Sequence, residues 1–526
     1  MKSLLHVFLM FSLAGGLLLG GCVPFGVAQS GLITVIGSDT TWTKAGSPHN
    51  LTGPVLVDGV TLTIEAGATV NLNDYEILVH GTLRAIGSST EKIYLNQGDI
   101  SFSQHSNGWD AQTDSGCVFE YCDLSWVTIN SNVSLKLTNS DLTMMYLGDS
   151  SLISNNVLHS PIEVGSFNNI SNNYCWHDVT AEHSNVICDN NISKLYTGDS
   201  NVIYNNIVRL DAAVGQSSSV YNNTINCEIS VGHSSEFLNN TVHGVIQATA
   251  SVISNNLIFH PRGIKQYADP RRGLFTYLTY DTAIEVRGSS EISNNTLFGP
   301  GQDIVTTGGY GIHLDDGTST VLNNTIFDYP DAITVDCSAT IRGNLLVNNN
   351  KSVVVSWGDA VVRNNTIIGG KEGIVATGPV TIERNSISNQ SVNGVSVRGP
   401  TIIRNNTITD VAVAIKVRSD PPSCEIVYNN FERYSQFSIY LETSSNNFDF
   451  KHNWWGTTDT QAINLTIRDF KYDFNSGKVN FIPILTEPNP QATSDQIPEF
   501  PSWTLLPLFL VIALVVVFVR KKIVDV

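Results

Sequence analysis

Methionine is almost missing from this chain, with four in 526 residues. With no His-rich tract beside them, they cannot build a cluster of soft-metal ligands. Cysteine is sparse too. The eight cysteines include no Cys-x-x-Cys pair, and no cysteine–histidine spacing fits a zinc site. Charged residues make up only 14% of the chain, and they lean acidic, with a net charge of −18 and pI ≈ 5.0. That balance speaks against nucleic acid as a partner and suits a saline exterior or cation binding. Between residues 150 and 480 no stretch is long and apolar enough for a helix of about 10–12 residues.

What is abundant is asparagine in pairs. ISNNVL at 153–158, VYNNTI at 220–225, ISNNTL at 292–297, VLNNTI at 321–326 and IRNNTI at 403–408 are versions of one phrase. The second asparagines are Asn156, Asn173, Asn191, Asn206, Asn223, Asn240 and Asn256, then Asn295, Asn324, Asn365 and Asn406. They are spaced by 15–18 residues at first and by about 20 or a multiple of it later. Such a period signals a solenoid with one coil per repeat.

The phrase alternates apolar and polar residues over four to six positions, which is a strand signal. Gly, Ser, Asn and Asp punctuate every gap, as turns require. A period near 20 holds about three strands with their turns, one coil of a parallel β-helix. Asparagine tolerates the left-handed backbone of a sharp turn. Its amides in successive coils, about 4.8 Å apart, can bond along the stack as a ladder. The expected fold is all-β, a right-handed parallel β-helix solenoid, since parallel crossovers are right-handed. Residues 50–480 would make roughly 20 coils, on the order of 100 Å of rod.

The ends read differently. Lys2 and the apolar run from Leu4 to Leu19 form an export signal, expected over 1–28. Cleavage after Gly26-Val27-Ala28 competes with a lipobox reading, Leu19-Gly20-Gly21-Cys22, in which Cys22 carries lipid. Residues 29–54, with Trp42, are read as an N-terminal cap over an otherwise sticky edge. The solenoid is assigned to 55–485. A Pro-rich stalk follows at 486–502. Residues 503–519 are an apolar run at the short limit for a transmembrane helix. The tail 520–526, with Arg520, Lys521 and Lys522, is placed in the cytoplasm by the positive-inside rule. The expected location is therefore the cell surface, with the membrane as one partner.

Residues 260–281 break the period with a long side loop. It carries Arg262, Lys265, Arg271 and Arg272 beside Tyr267, Phe275, Tyr277 and Tyr280. Long loops on a rigid scaffold often carry function, so Arg262, Arg271, Arg272, Tyr267 and Tyr277 are candidate glycan contacts. Trp454 and Trp455, in HNWWGTTD, fall where the repeat stops and are read as an end cap. Cys117–Cys122 and Cys175–Cys188 are candidate disulfides in an odd set of seven exported cysteines. There are 13 Asn-x-Ser/Thr sequons, among them Asn50, Asn132, Asn350, Asn389 and Asn464. Others are the first Asn of a repeat pair, where a crowded turn is expected.

Together these residues resemble the pectate-lyase-like superfamily of right-handed β-helix proteins, and within it the NosD-like group with CASH repeats. GVTLTIEAGATV, NWWGTTD and GKVNFIPIL look like the ends of archaeal surface members. IPEFPSW with its apolar run and RKK is similar to a PEF-type anchoring signal. The resemblance covers roughly 31–485 for the fold. Polygalacturonase-type relatives work with paired carboxylates. Here Asp315 and Asp316, with His313, are the nearest match, without the NTD, GHG or RIK phrases. Strand alternation sends neighbouring side chains to opposite faces, which puts Asp315 and Asp316 in a turn before Gly317. The copper role attached to one NosD-like protein would need Met and His clusters that are lacking.

The leading expectation is a non-catalytic surface protein that binds polysaccharide or surface proteins, with no cofactor and no metal site. The alternative is a polysaccharide lyase or glycoside hydrolase on acidic polysaccharide. Under the lyase reading calcium would be held by acidic residues among Asp303, Asp331, Asp336 and Asp359.

Overall fold

In the computed structural model the described residues are 32–259, 263–269, 273–279, 282–300, 309–421 and 423–492, with backbone alone for 263–269 and 273–279. The chain divides into two compact units, Met1–Leu152 and Ile153–Val526. Both are built from short parallel strands, consistent with right-handed coiling. The expected signal segment 1–28 with Cys22, and residues 503–526, lie outside the described residues. Among the described residues no helix is long and apolar enough to cross a membrane.

In the first unit, coils are already formed where a cap was expected. Thr34–Ile36 pairs in parallel with Val55–Val57, Thr40–Trp42 with Thr61–Ile64, and His49–Asn50 with Val70–Asn71. Trp42 stacks on His49 at 5.5 Å, so the tryptophan braces this coil internally. Behind it Val57, Val79 and Phe102 stand in register, as do Leu62 and Leu83, all buried.

The second unit shows the repeat most plainly. One coil is Ser219–Tyr221, Thr224–Ile225 and Ile229–Val231. These are its first, second and third strands. First and second strands each place one apolar residue inward and third strands place two, and coil by coil these residues stack. The first-strand column runs Val220, Phe237, Ile253, Ile292, Val321 and Ile341. The second-strand column runs Ile225, Val242, Ile258, Leu297, Ile326 and Leu346. Ile229, Ile246, Ile284, Ile312, Ile333 and Val353 make the third. All are buried, and each such side chain contributes about 1.5–3 kcal/mol by leaving water.

The corner between first and second strands is closed by asparagine. Asn222 has φ 58, in the left-handed region, and points outward. Asn223 turns inward. Its Nδ2 donates to Asn240 Oδ1 at 3.0 Å, Ile203 O at 3.0 Å and Tyr221 O at 3.0 Å. Its Oδ1 accepts from the backbone N–H of Asn206 at 2.9 Å and from Asn206 Nδ2 at 3.0 Å. The same pattern links Asn156, Asn173, Asn190, Asn206, Asn223, Asn240, Asn256, Asn295, Asn324, Asn344, Asn365, Asn385, Asn406, Asn429 and Asn453.

Four differences from expectation follow. At the third rung the side chain on the ladder is Asn190, and Asn191 begins the next strand; Asp189 there takes the left-handed position, with φ 58. Rungs Asn344, Asn385 and Asn453 lie outside the paired phrase because Gly343, Arg384 and His452 precede them in the left-handed turn, and Asn429, preceded there by Tyr428, is the first rather than the second of its pair. A second ladder closes the corner between the third strand and the next coil. There Asn185, Asn201, Ser218 and Ser235 accept successive backbone N–H groups, beginning with that of Asn168. Of the outward asparagines of the sequons, Asn222, Asn239 and Asn294 are exposed rather than crowded, while Asn364 and Asn405 are half-buried.

The seven described cysteines are all free thiols, so the expected disulfides are not formed. Cys117 Sγ accepts from Leu83 N–H at 3.4 Å, whereas Cys122 Sγ donates to Ala85 O at 3.4 Å. Cys175 stands in the second-strand column beside Ile192, and Cys188 on a first strand beside Tyr204. The thiols thus serve as separate core residues.

Two substitutions in one turn separate the ladder from the bend. Asn223→Ala removes three donated bonds and leaves buried groups of Asn206 and Ile203 unpaired. It is expected to lower stability by about 2–4 kcal/mol. Asn222→Gly keeps the left-handed turn and is expected to shift stability by less than about 0.5 kcal/mol. Urea unfolding followed by far-UV circular dichroism checks the order, and equal losses would show that the bend rather than the amide holds the corner.

Candidate functional site

Functional side chains cluster around the corner between second and third strands. In a plain coil this corner is brief, with three residues between Val242 and Ile246. In the next two coils it opens. The chain travels from Ile258 to Ile284, and then from Leu297 to Ile312, before the third strand resumes. The columns stay in register across both insertions. The ladder also takes single steps there, with Asn256 N–H to Asn295 Oδ1 at 2.9 Å and Asn295 N–H to Asn324 Oδ1 at 2.9 Å.

A column of rings braces the strands from which the insertions leave. His243, Phe259, Phe298 and Phe327 stack with centroids 4.9, 5.3 and 5.3 Å apart and planes within 11°. Each contact is worth about 0.5–1.5 kcal/mol beyond burial. The rings cover one another's faces, so the column's job is mechanical. The first insertion is more ordered than the expected loop. Gly263–Asp269 pairs antiparallel with Gly273–Thr279, with Tyr267 opposite Phe275 and Lys265 opposite Tyr277. Tyr267 and Tyr277 thus sit on a hairpin. Arg262, Arg271 and Arg272 lie outside the described residues, as does Asp303 of the second insertion.

The third strands then present a polar outer face. His313 Nε2 lies 3.0 Å from Asp336 Oδ2, and its ring is 5.1 Å from that of Tyr310. Asp315 Oδ2 meets Arg287 Nε at 3.3 Å, and Arg287 also holds Glu285 at 3.2 Å. Asp316 accepts from the backbone N–H of Gly288. So Asp315 and Asp316 occupy the turn after the strand, while His313 is on the strand itself. Further along, Asp331 pairs with Lys351 at 3.3 Å. Burial raises the Asp331 carboxyl above the ordinary range, against the pull of Lys351. Glu372 binds Arg418 at 3.3 Å and Asn393 Nδ2 at 2.6 Å, and Glu442 binds Lys416 at 2.7 Å. Asp359 is exposed in the turn before the next coil.

Toward the last coils this face becomes aromatic. Lys416, Tyr440 and Arg468 occupy one register row. Lys416 Nζ is 5.0 Å and the Arg468 guanidinium 4.7 Å from the Tyr440 ring. Phe437 adjoins it, with Tyr472 edge-on at 5.7 Å. The sequence hid this row because coil length grows here, so no fixed spacing marks it. The two tryptophans at the end of the repeat part ways. Trp455 is buried against Phe431 at 5.1 Å and Phe481 at 5.9 Å, and Trp454 pairs its backbone with Asn430. Past them, a short helix at Thr460–Thr466 is capped by Asp459. The opening of the expected stalk packs back on the coils, with Asn489 Nδ2 to Tyr428 O at 2.6 Å and Thr407 to Ala492 O at 2.8 Å.

Among the described residues, no group of three or more His, Cys, Asp or Glu stands close enough to hold a metal ion. Residues 289–478 match the NosD family model, described as a periplasmic copper-binding protein. No curated protein matches the chain. The matched stretch contains no methionine, two cysteines and two histidines. Burial pushes Cys337 up to about 11 and Cys424 to about 12, His313 is engaged by Asp336, and His452 stacks on Tyr428. These residues do not fit a copper site.

The thiols make a direct test. Burial also pushes Cys175 and Cys227 up to about 12 and Cys117 to about 11. Only thiolates alkylate, so iodoacetamide at pH 8 is expected to leave these cysteines unmodified in the native chain and to label all seven described cysteines after denaturation. The folded pKa is raised, so the associated stability is present below the ordinary thiol range. It is lost as pH climbs past about 9, where unfolded thiols ionise. Mass spectrometry reads the labelling, and fast native labelling would show the thiols to be accessible.

Proposed function

We propose that this chain is an exported, non-catalytic β-solenoid that binds glycan along the outer face of its third strands and is tethered at its C-terminal end. The carrying observation is that, from Glu285 onward, six described carboxylates of this face are engaged. Glu285, Asp315, Asp331, Asp336, Glu372 and Glu442 each hold a cation or histidine within 3.3 Å. Glycoside hydrolysis needs a carboxyl free to donate a proton opposite a second one about 5–10 Å away. The paired set instead forms a continuous strip of hydrogen-bonding groups, ending in the Tyr440 and Phe437 rings. Polar groups in fixed positions with a few rings suit sugars, whose edges carry hydroxyls and whose faces are apolar.

The periplasmic description of the matched family supports export, as does the apolar N-terminal run. The apolar segment at 503–519 followed by Arg520, Lys521 and Lys522 supports a tether. Long inserts at one corner of a rigid column would widen the binding face where they stand.

The test is incubation of the full chain, solubilised in mild detergent, with acidic and neutral polysaccharides, with and without calcium. New reducing ends and the ultraviolet absorbance of unsaturated products report cleavage, and co-sedimentation reports binding. Binding of at least one polymer without cleavage is expected. Cleavage of any polymer would overturn the non-catalytic reading and make Asp315, Asp316 and His313 the first residues to replace.

A further inference from the structure

Beyond the last asparagine rung lies an open cleft of about 500 Å³ that the repeat does not explain. Its walls come from three places. Phe448–Asp449 pairs in parallel with Val479–Asn480, which sets Lys451 and Lys478 beside each other's strands. Ile467–Arg468 continues the third-strand face and leads into Asp469 and Lys471. Asp469 is 1% exposed and fixes this wall. It accepts from the N–H groups of Val479 and Lys471, both at 3.2 Å, and holds Lys471 Nζ at 3.2 Å.

The chemistry of the cleft is unlike the rest of the chain. Lys451, Lys471 and Lys478 line it, and Asp469 is its one lining carboxylate, already engaged. Residues 451–482 carry four cations against three carboxylates, in a chain of net charge −18. Lys451 is shared with Asp449 at 3.1 Å, and Lys471 also donates to Asn464 Oδ1 at 2.6 Å. Lys478 has no ion-pair partner among the described residues. Apolar surface stands beside these ammonium groups, with Phe470 38% and Ile482 59% exposed.

We propose that this cleft binds a short acidic oligosaccharide segment, with Lys478 as the main contact to its anionic group and Phe470 against a sugar face. This rests on the glycan-binding reading and names the sugar class for one end of that face. The net negative charge opposes a long polyanion laid along the chain. It does not oppose a short one here, because charges beyond roughly 8 Å are screened at physiological ionic strength. Uronate carboxylates and sugar sulfates offer the lysines the same chemistry. Asn464 also belongs to a sequon, so a glycan attached there would stand in the cleft mouth.

The experiment is titration calorimetry of the full chain with four probes: a galacturonate trimer, a sulfated trisaccharide, a neutral trimer and inorganic sulfate. The acidic trimers are expected to bind at least tenfold more tightly than the neutral one and to weaken as salt rises. K478E is expected to lose at least tenfold in acidic-trimer affinity with an unchanged circular dichroism spectrum and melting temperature. K451Q, which keeps the lining uncharged rather than reversed, is expected to lose less. Whichever acidic trimer binds identifies the anionic group. Equal affinity for neutral and acidic trimers, or full affinity in K478E, overturns the assignment while leaving glycan binding standing. Binding of inorganic sulfate alone means an adventitious ion only and overturns it too. Loss of all glycan binding, polymers included, would overturn the proposed function as well.

Discussion

The whole repeat rests on one buried amide at a corner. Each inward asparagine accepts a backbone N–H from the coil before it and donates to carbonyls that the sharp turn would otherwise leave orphaned. A parallel strand pair leaves these groups unmatched wherever the chain bends, and burying them unpaired would cost about 1–3 kcal/mol apiece. The side chain closes every such turn with the same three groups. Because rungs sit one strand spacing apart, each amide also serves its neighbour, and the corner becomes a continuous chain of polar contacts through an apolar interior. The aliphatic columns supply the larger share of stability, but they are forgiving of register. The amides are directional, so they decide which residue faces in.

That division of labour explains what the fold tolerates. Coils of 16 or 17 residues between rungs give way to coils of 20 to 24, and one step between rungs takes 39 residues, with no change in the ladder bonds. Added chain is expelled at the corner between second and third strands, which the continuous asparagine ladder does not span; side-chain amides reach that corner only beyond the insertions, where Asn349 accepts from the Tyr329 N–H. Stacked rings of His243, Phe259, Phe298 and Phe327 hold the second strands together there. The insertions are therefore free to vary while the columns beneath them stay fixed, which is the usual arrangement of variable loops on a rigid scaffold.

The outer face of the third strands shows a different economy of charge. From Glu285 onward six of its acidic residues are drawn into contact with a cation or His313 within one or two coils, so in a chain of net charge −18 this stretch of the face is polar without being strongly negative. Exposed pairs of this kind add little to stability, typically 0–1 kcal/mol. Their effect is to fix donors and acceptors in space. Tyr440, between Lys416 and Arg468, is the same device with a ring in the middle. Where the coils end, the pairing runs out and Lys478 is left over.

Much of the column was legible beforehand because its cause is local and repeats. The pair Asn222-Asn223 announces a left-handed residue followed by an inward amide, and the flanking Val220 and Ile225 announce strands. Legibility failed where the left-handed residue was not asparagine, as at Gly343, Arg384, Tyr428 and His452, and where Asp189 shifted the rung to Asn190. Asparagine gives way to serine along the second ladder, so its period has no single letter to show. For the site, the turn placement of Asp315 and Asp316 followed from alternation alone. The partners Arg287 and Asp336, the row Lys416–Tyr440–Arg468 and the cleft around Lys478 depend on which residues lie one coil apart, and coil length is not constant. By itself the sequence determined the strand, the turn and the inward amide, each set by neighbours in the chain. Only the tertiary structure decided which charges meet, because meeting requires a register summed over every insertion between them.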